Sequence, residues 1–502
     1  MAFSRRSQKG CVPTKRKVGD TKRFLSNIRL RLAQITVWQT ISGCLISLAF
    51  VYMAGLSVEL HRGLNTSAYD FGLYDQGIWL LSRFKDPFVT LMGRNLFGDH
   101  TSFILILLVP LYWFVNSTSL LFVVQSLAIS AAAIPIFLYA RKRLESEIAA
   151  TVFAFVYLIH PATVWISLEN FHPDAFLGLL VAVALYSALE GRWRFFFISV
   201  VLSLSVKEDV ALVMVPLGLW VAVRKNRQIG MVASALSFWY MILAIFGIQQ
   251  GINGVPFRNS WRIPFGGFWG VIKTTFTDPM KLFSHLVGES RPFYLLQMCL
   301  PFAFIFVAFP EIAAISVFVV GLNILSTFWY QFHIEYHYSF VAVPVLVFGT
   351  IFAIGRLPER FRKWLVGLCL AFSVFSAFMW SPLPGARTDV AYNGSRHAMV
   401  IAASEAISKV PKDAVVSAYH PLTAQMARRE KIYAFPVPFS RSLYGLDVFA
   451  KGDVLSFVDE IEYVILPANM DEQMQQTWST VSADFQITYA NSWWVVFQRI
   501  LK

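Results

Sequence analysis

Apolar runs and basic loops alternate along most of this chain. The first uninterrupted apolar run extends from about Val37 to Val58. Helical rise makes such a run long enough for a hydrocarbon core of about 30 Å. It is too long for the core of a signal peptide and ends without an obvious cleavage site, so it reads as a retained signal-anchor helix. The next apolar piece, Ser102 to Val115, has the length of an interfacial or re-entrant segment. Leu120 to Ala140 is again a full span, closed by Arg141-Lys142-Arg143. Further spans fall near 148–166, 175–189, 195–206, 210–223, 229–249, 293–309, 311–329, 339–355 and 364–379.

Basic residues gather in cytoplasmic loops, which turns this list into a topology. If the Ser102–Val115 piece lies on the outer surface, the basic loops all face inward together. They are Arg141-Lys142-Arg143, Arg192 with Arg194, Arg224-Lys225-Asn226-Arg227, and Arg356 with Arg360, Arg362 and Lys363. The pattern predicts an α-helical polytopic membrane protein of eleven spans over 35–380, with outer loops 59–118 and 250–292. An odd number of spans delivers the tail, 381–502, to the outer side. There Ala398 to Ser408 has helical spacing, and Ala414–Ala418, Ile432–Phe435 and Tyr463–Leu466 read as strands. Strands alternating with helices predict a small extracytoplasmic α/β domain.

Composition agrees: 56% hydrophobic, 16% aromatic and 15% charged residues exclude an ordinary soluble domain. The net charge of +13 is concentrated at the start, where Arg5, Arg6, Lys9, Lys15, Arg16, Lys17, Lys22, Arg23, Arg29 and Arg31 precede the first span. No nucleic-acid module accompanies that charge, so residues 1–34 read as a cytoplasmic segment facing anionic membrane lipid, not nucleic acid. Cys11, Cys44, Cys299 and Cys369 show neither a disulfide framework nor metal spacing.

Ionisable groups within a membrane domain are costly and usually functional. Here they collect at outer loops or outer helix ends: Asp70 and Asp75; Asp99-His100; Glu169, His172 and Asp174; Lys207-Glu208-Asp209; and His333, Glu335 and His337. Asp75 suits the N-cap of a helix over Gln76–Phe84. Asp70 lies between Tyr69 and Phe71, where simple solvation explains it poorly. His333 and His337 have a helical metal-binding spacing, though no second motif completes a zinc site. Arg258, Arg262 and Arg291 stand among Trp261, Phe265, Phe268 and Trp269 in the long outer loop. Guanidinium beside interfacial aromatics fits a lipid phosphate, and it also fits an ordinary aromatic belt. Asn65, Asn116 and Asn393 begin Asn-x-Ser/Thr triplets on the outer side, which matter only in an organism that glycosylates them.

Several of these pieces stand in the order of a known group: Tyr69-Asp70-Phe71-Gly72-Leu73-Tyr74-Asp75-Gln76, Phe171-His172-Pro173-Asp174, Lys207-Glu208-Asp209 and His337-Tyr338. With Val415–Ala418 and Tyr463–Leu466 in the tail, the chain resembles a bacterial membrane protein family of unknown function related to the GT-C glycosyltransferases. That resemblance implies a GT-C-like fold in the bacterial cell membrane and transfer of a sugar from a polyprenyl-phosphate donor to an extracytoplasmic glycan, lipid or protein acceptor. It matches Asp70, and secondly Asp75, to the acidic position of the GT-C first outer loop. His100, His172, Asp174, Lys207, Glu208, Glu335, His337, Arg258, Arg262 and Arg291 are then candidates for binding substrate, with a divalent cation as a possible helper. The paired acid motif of the protein mannosyltransferase and oligosaccharyltransferase branches is missing, so neither sugar nor acceptor carries over. A lipid-linked substrate transporter and a non-enzymatic scaffold or sensor are the rival readings. A transporter is expected to carry midplane charges and internal repeats, which the sequence lacks.

Overall fold

A computed structural model describes residues 35–256, 258–441 and 452–500. The basic leader and Cys11 lie outside the described residues, and so does the side chain of Arg258.

The first span forms as a helix, Val37–Arg62. Thr36 caps it, receiving the backbone N–H of Gln39, while the Gln39 side chain receives that of Thr36. The Thr36 hydroxyl also donates to Glu147, at the start of helix Glu147–Ile159. Ser42 and Thr151 hydrogen-bond across the same pair of helices at 2.9 Å. These small polar contacts let two apolar helices pack without unsatisfied groups.

Among the described residues, five helices are long and apolar enough to cross a membrane: Val37–Arg62, Leu120–Leu144, Arg227–Asn253, His337–Ile354 and Glu359–Trp380. A sixth crossing follows if Glu147–Ile159 and Pro161–Leu168 form one span bent by 46°. Pro161 accounts for the bend, because it has no N–H to continue the helical ladder. Of the eleven spans expected from the sequence, five or six are thus long single crossings among the described residues. The other apolar stretches are helical but shorter or broken, including Pro173–Leu189, Trp193–Leu204 and Ala313–Leu325. Lys207, with extended backbone, separates Trp193–Leu204 from Ala211–Arg224. Pro301 and the left-handed residues Ala303 and Phe304 break the expected 293–309 span.

The spans differ in what they face. Every residue of Ala342–Ile354 is buried, as expected for a helix that is apolar all round and lies inside the bundle. Val37–Arg62 and Glu359–Trp380 instead leave Leu48, Val51, Trp364 and Phe378 exposed, a surface suited to lipid. The short piece after the first loop becomes a 3-10 turn, Phe103–Leu108, and a helical turn, Leu111–Phe114, with Leu107, Trp113 and Phe114 exposed.

The tail contains a five-stranded mixed sheet. Its strands are β3 (Val416–Ala418), β4 (Ile432–Ala434), β5 (Tyr463–Pro467), β6 (Phe485–Ala490) and β7 (Trp494–Arg499), in the order β4-β3-β5-β7-β6. A small hairpin, β1 (Phe88–Val89) with β2 (Arg94–Asn95), stands apart in the first loop. Strands β3, β4 and β5 are parallel, while β7 runs antiparallel to both β5 and β6. Alternation along the strands gives the sheet two cores. Tyr433, Val464, Leu466 and Phe497 face an aromatic cluster with Trp478 and Phe485. Ile432, Ala434, Ile465 and Val496 face the other way, into the core shared with the membrane domain.

That shared core makes the tail part of the molecular body. Helix His420–Met426 packs against the turn Ala68–Gly72 that carries Asp70. His420 stacks on Tyr69 at 5.3 Å, and Gln425 Nε2 donates to the His61 carbonyl at 2.6 Å. Ile432 N–H donates to Thr90 Oγ1 at 3.0 Å, so the first residue of β4 is tied to the first loop.

Candidate functional site

Asp70 sits in a wide π-type turn, Ala68–Gly72, closed by Gly72 N–H donating to the Ser67 carbonyl at 3.0 Å. Such turns are short and recur at functional sites. Burial pushes the Asp70 carboxyl up to about 6, and the charge of Asp99 adds to the rise. Glu169 is also pushed well above the usual carboxylate range, first by burial and then by Asp70. Lys207 acts on Glu169 in the opposite sense, so Asp70, Glu169 and Lys207 share one electrostatic neighbourhood.

Beside them is a cavity of about 210 Å³, with His100, Lys207, Glu208, Arg262 and Tyr338 in its polar wall. Leu212, Met241, Ile245 and Leu322 supply an apolar wall. The sequence Lys207-Glu208-Asp209 builds the polar part because the break between helices turns successive side chains in different directions. Glu208 accepts from Thr101 N–H at 3.2 Å and pairs with His100 Nδ1 at 2.8 Å. Burial opposes the Glu208 charge, but His100 and Lys207 prevail and hold it down to about 2. Burial likewise opposes a charged His100, and Glu208 nonetheless raises its pKa. Lys207 lies 3.6 Å from Asp209 and 3.9 Å from Asp174; these carboxylates overcome burial and keep the ammonium protonated.

Arg262 reaches the same cavity from the long outer loop. Its guanidinium packs 4.2 Å over the Phe328 ring, and one nitrogen donates to Tyr338 Oη at 3.3 Å. Its Nε has no hydrogen-bond partner. On the far side of Tyr338, His337 and His172 stack with ring centroids 3.8 Å apart. Glu169 receives the His337 backbone N–H at 2.7 Å and lies 3.2 Å from His337 Nδ1.

Other candidates stand elsewhere. Asp75 is not a helix cap: Gly72 occupies the N-cap of Leu73–Ser82, without a side-chain bond. The Asp75 carboxylate is fully buried, receives Tyr112 Oη at 2.7 Å and is gripped by Arg428 at 3.1 Å through two guanidinium nitrogens. It therefore ties the tail to the first loop. Arg291 is buried, donating to the carbonyls of Ile324 at 2.7 Å and Ser326 at 2.9 Å. Those bonds satisfy carbonyls at the end of helix Val317–Leu325. Glu335 is exposed, and Glu169 stands beside His337 in its place. His333 pairs with Ser290 Oγ at 3.0 Å, so His333 and His337 do not form the helical metal pair that their spacing suggested. Arg428 and Tyr112 carried no sequence signal.

A family model described as a predicted membrane protein, DUF2079, matches residues 60–499. The chain belongs to this family. The match takes in the first loop, the cavity and the tail sheet together. Among solved structures, the chain is similar to ArnT from Cupriavidus metallidurans bound to undecaprenyl phosphate, with a TM-score of 0.52 at 12% identity, covering 90% of this chain and 98% of that one. The apo state of the same protein gives 0.53 at 12% identity with the same coverage. At that identity the likeness concerns the fold alone: this DUF2079 member has an ArnT-like fold. No curated protein matches the sequence.

Proposed function

We propose that this DUF2079 protein is a membrane glycosyltransferase that moves a sugar from a polyprenyl-phosphate donor to an acceptor outside the cytoplasm. The carrying observation is the cavity that joins Lys207 and Arg262 to an apolar wall of Leu212, Met241, Ile245 and Leu322. A prenyl phosphate has the same division, with an anionic head and an apolar chain. The ArnT-like fold supports the choice, and the undecaprenyl phosphate in that relative's structure is the kind of ligand meant.

In the proposed reaction an acceptor hydroxyl attacks the anomeric carbon. The new glycosidic C–O bond forms as the bond from that carbon to the phosphate oxygen breaks, and the lipid phosphate leaves with the electron pair. Asp70 takes the hydroxyl proton, a task suited to a carboxylate with a raised pKa. Arg262 and Lys207 stabilise the leaving phosphate, Arg262 through its planar fork. The topology that goes with this reading has the N-terminus inside, eleven crossings counting the short helices, and the tail outside.

Mass spectrometry of lipid-linked and surface glycans from cells lacking the protein tests the reading. A truncated acceptor, completed by the wild-type chain but not by Asp70→Asn, is expected. Unchanged glycans would assign the protein to a scaffold or sensor, and donor lipid trapped inside would assign it to transport.

A further inference from the structure

The stacked histidines have a property that packing alone does not require. Nε2 of His172 is buried and makes no hydrogen bond. It lies 3.6 Å from one Glu169 oxygen, and His337 Nδ1 lies 3.3 Å from the same oxygen. One ligand atom from each of Glu169, His172 and His337 falls within 4.8 Å of the others. A tetrahedral zinc ion with bonds of 2.0–2.1 Å needs ligand atoms separated by about 3.3 Å, so the two nitrogen–oxygen pairs already stand near that spacing and the two imidazole nitrogens, within 4.8 Å, close by at most about 1.5 Å on binding. The donor set, two imidazoles and one carboxylate, is one that zinc uses where a fourth position stays open.

The local chain explains how the three meet. Glu169 and His172 are separated by Asn170, whose left-handed backbone turns the chain sharply after helix Pro161–Leu168. The backbone carbonyl of Glu169 lies close enough to the His172 ring to act on it electrostatically, and Nε2 itself is without a hydrogen bond. With the ring proton on Nδ1, the unbonded Nε2 keeps its lone pair for a metal. His337 comes from a different part of the chain and is fastened through its own N–H to Glu169.

We infer that Glu169, His172 and His337 form a binding site for a divalent transition metal of the zinc type, with its fourth position open. The inference deepens the transferase reading: an ion there would act as a Lewis acid beside Asp70 and Lys207, at a point where a phosphate or acceptor oxygen could bind. Only that use rests on the transferase reading. Binding itself is measured with the metal alone, so its failure leaves the glycan experiment intact, and the reverse also holds.

The full chain, purified in detergent, stripped with chelator, reloaded with zinc salt and desalted, should retain about one zinc per chain by elemental analysis. Glu169→Gln keeps the acceptor for the His337 N–H, and His172→Phe keeps the ring stack. Each should weaken zinc affinity by at least ~10-fold. Cobalt(II) added to the stripped wild type should give the intense visible absorption of a four-coordinate ion, a readout independent of whether the variants fold. Wild-type protein that retains no zinc, a Glu169→Gln/His172→Phe double variant with unchanged affinity, or a cobalt spectrum like that of the free aqueous ion would overturn the site.

Discussion

Two buried charged regions lie on either side of the first outer loop, and they differ in how completely their partners are satisfied. At the seam with the tail, Asp75 is enclosed by Arg428 and Tyr112, and the Arg428 Nη2 that donates to Asp75 also donates to the Ser117 carbonyl at 2.7 Å. At the cavity, Arg262 Nε and His172 Nε2 have no hydrogen-bond partner, while the Asp70 carboxyl is held up near 6. Five positions of sequence separate Asp70 from Asp75. A saturated network of this kind fixes geometry, because any added ligand must displace a bond already made. An unsaturated one retains capacity for a ligand. On this contrast the proposed reaction uses Asp70 and leaves Asp75 as the tie between loop and tail.

Breaking the seam should give the largest effect. Arg428→Ala leaves the buried Asp75 charge without its partner, and such a loss costs roughly 3–5 kcal/mol. The change is read as reduced resistance of the tail to denaturant, followed by fluorescence of Trp478 and Trp494, which belong to the two cores of the sheet. Asp75→Leu combined with Arg428→Met removes both charges and should recover most of the loss, as replacing a buried pair by apolar groups often does. A double variant no better than Arg428→Ala would show that the pair is not the unit that matters.

At the cavity the signature should be reversed. Asp70→Asn should lower transfer by ~10²-fold or more, the scale of lost general-base help, while the protein folds normally. Its stability should even rise at neutral pH, and the sign can be worked out. Burial lifts the folded-state pKa of Asp70 to about 6, above the unfolded value near 3.8. The group's stabilising contribution is then complete below the unfolded value and is lost as pH climbs through about 6. Thermal unfolding of chelator-treated protein should therefore show Asp70→Asn more stable than wild type at pH ~7.5, with the advantage gone near pH ~4. An asparagine variant less stable than wild type at neutral pH would make Asp70 a structural residue like Asp75.

Much of this architecture is written locally in the chain, and what is not local was not legible. Thr36 with Gln39 caps the first helix as its apolar run begins, and the Lys207-Glu208-Asp209 interruption separates two helices. The alternation in Tyr463–Leu466 already holds the two-sided sheet, since Val464 and Ile465 face different cores. By contrast, Arg428 meets Asp75 across 353 positions, and neither residue has a neighbour that announces the other. The same limit left the arginines of the outer loop undistinguished. Arg262 and Arg291 look alike among aromatics, and only the carbonyls of Ile324 and Ser326 distinguish them. The hairpin of β6 and β7 had a turn signal in Asn491-Ser492 that could have revealed it.

Those two arginines provide the smallest and most discriminating test. Both pack on phenylalanine rings, Arg262 at 4.2 Å from Phe328 and Arg291 at 4.1 Å from Phe332, so aromatic contact does not separate them. Their hydrogen bonds do. Arg262 donates to Tyr338 and lines the cavity, whereas Arg291 is committed to backbone carbonyls and to Glu289 at 3.0 Å. Lysine preserves charge but loses the planar fork at either position. Arg262→Lys should weaken binding of a polyprenyl-phosphate donor by roughly 10-fold, the scale of one charge-assisted hydrogen bond, with little change in thermal stability. Arg291→Lys should do the opposite, lowering stability because carbonyls at the end of Val317–Leu325 lose donors, while donor affinity in the folded fraction stays near wild type. Equal donor affinities for Arg262→Lys and wild type would return Arg262 to the aromatic belt and leave Lys207 as the cavity's phosphate-facing cation.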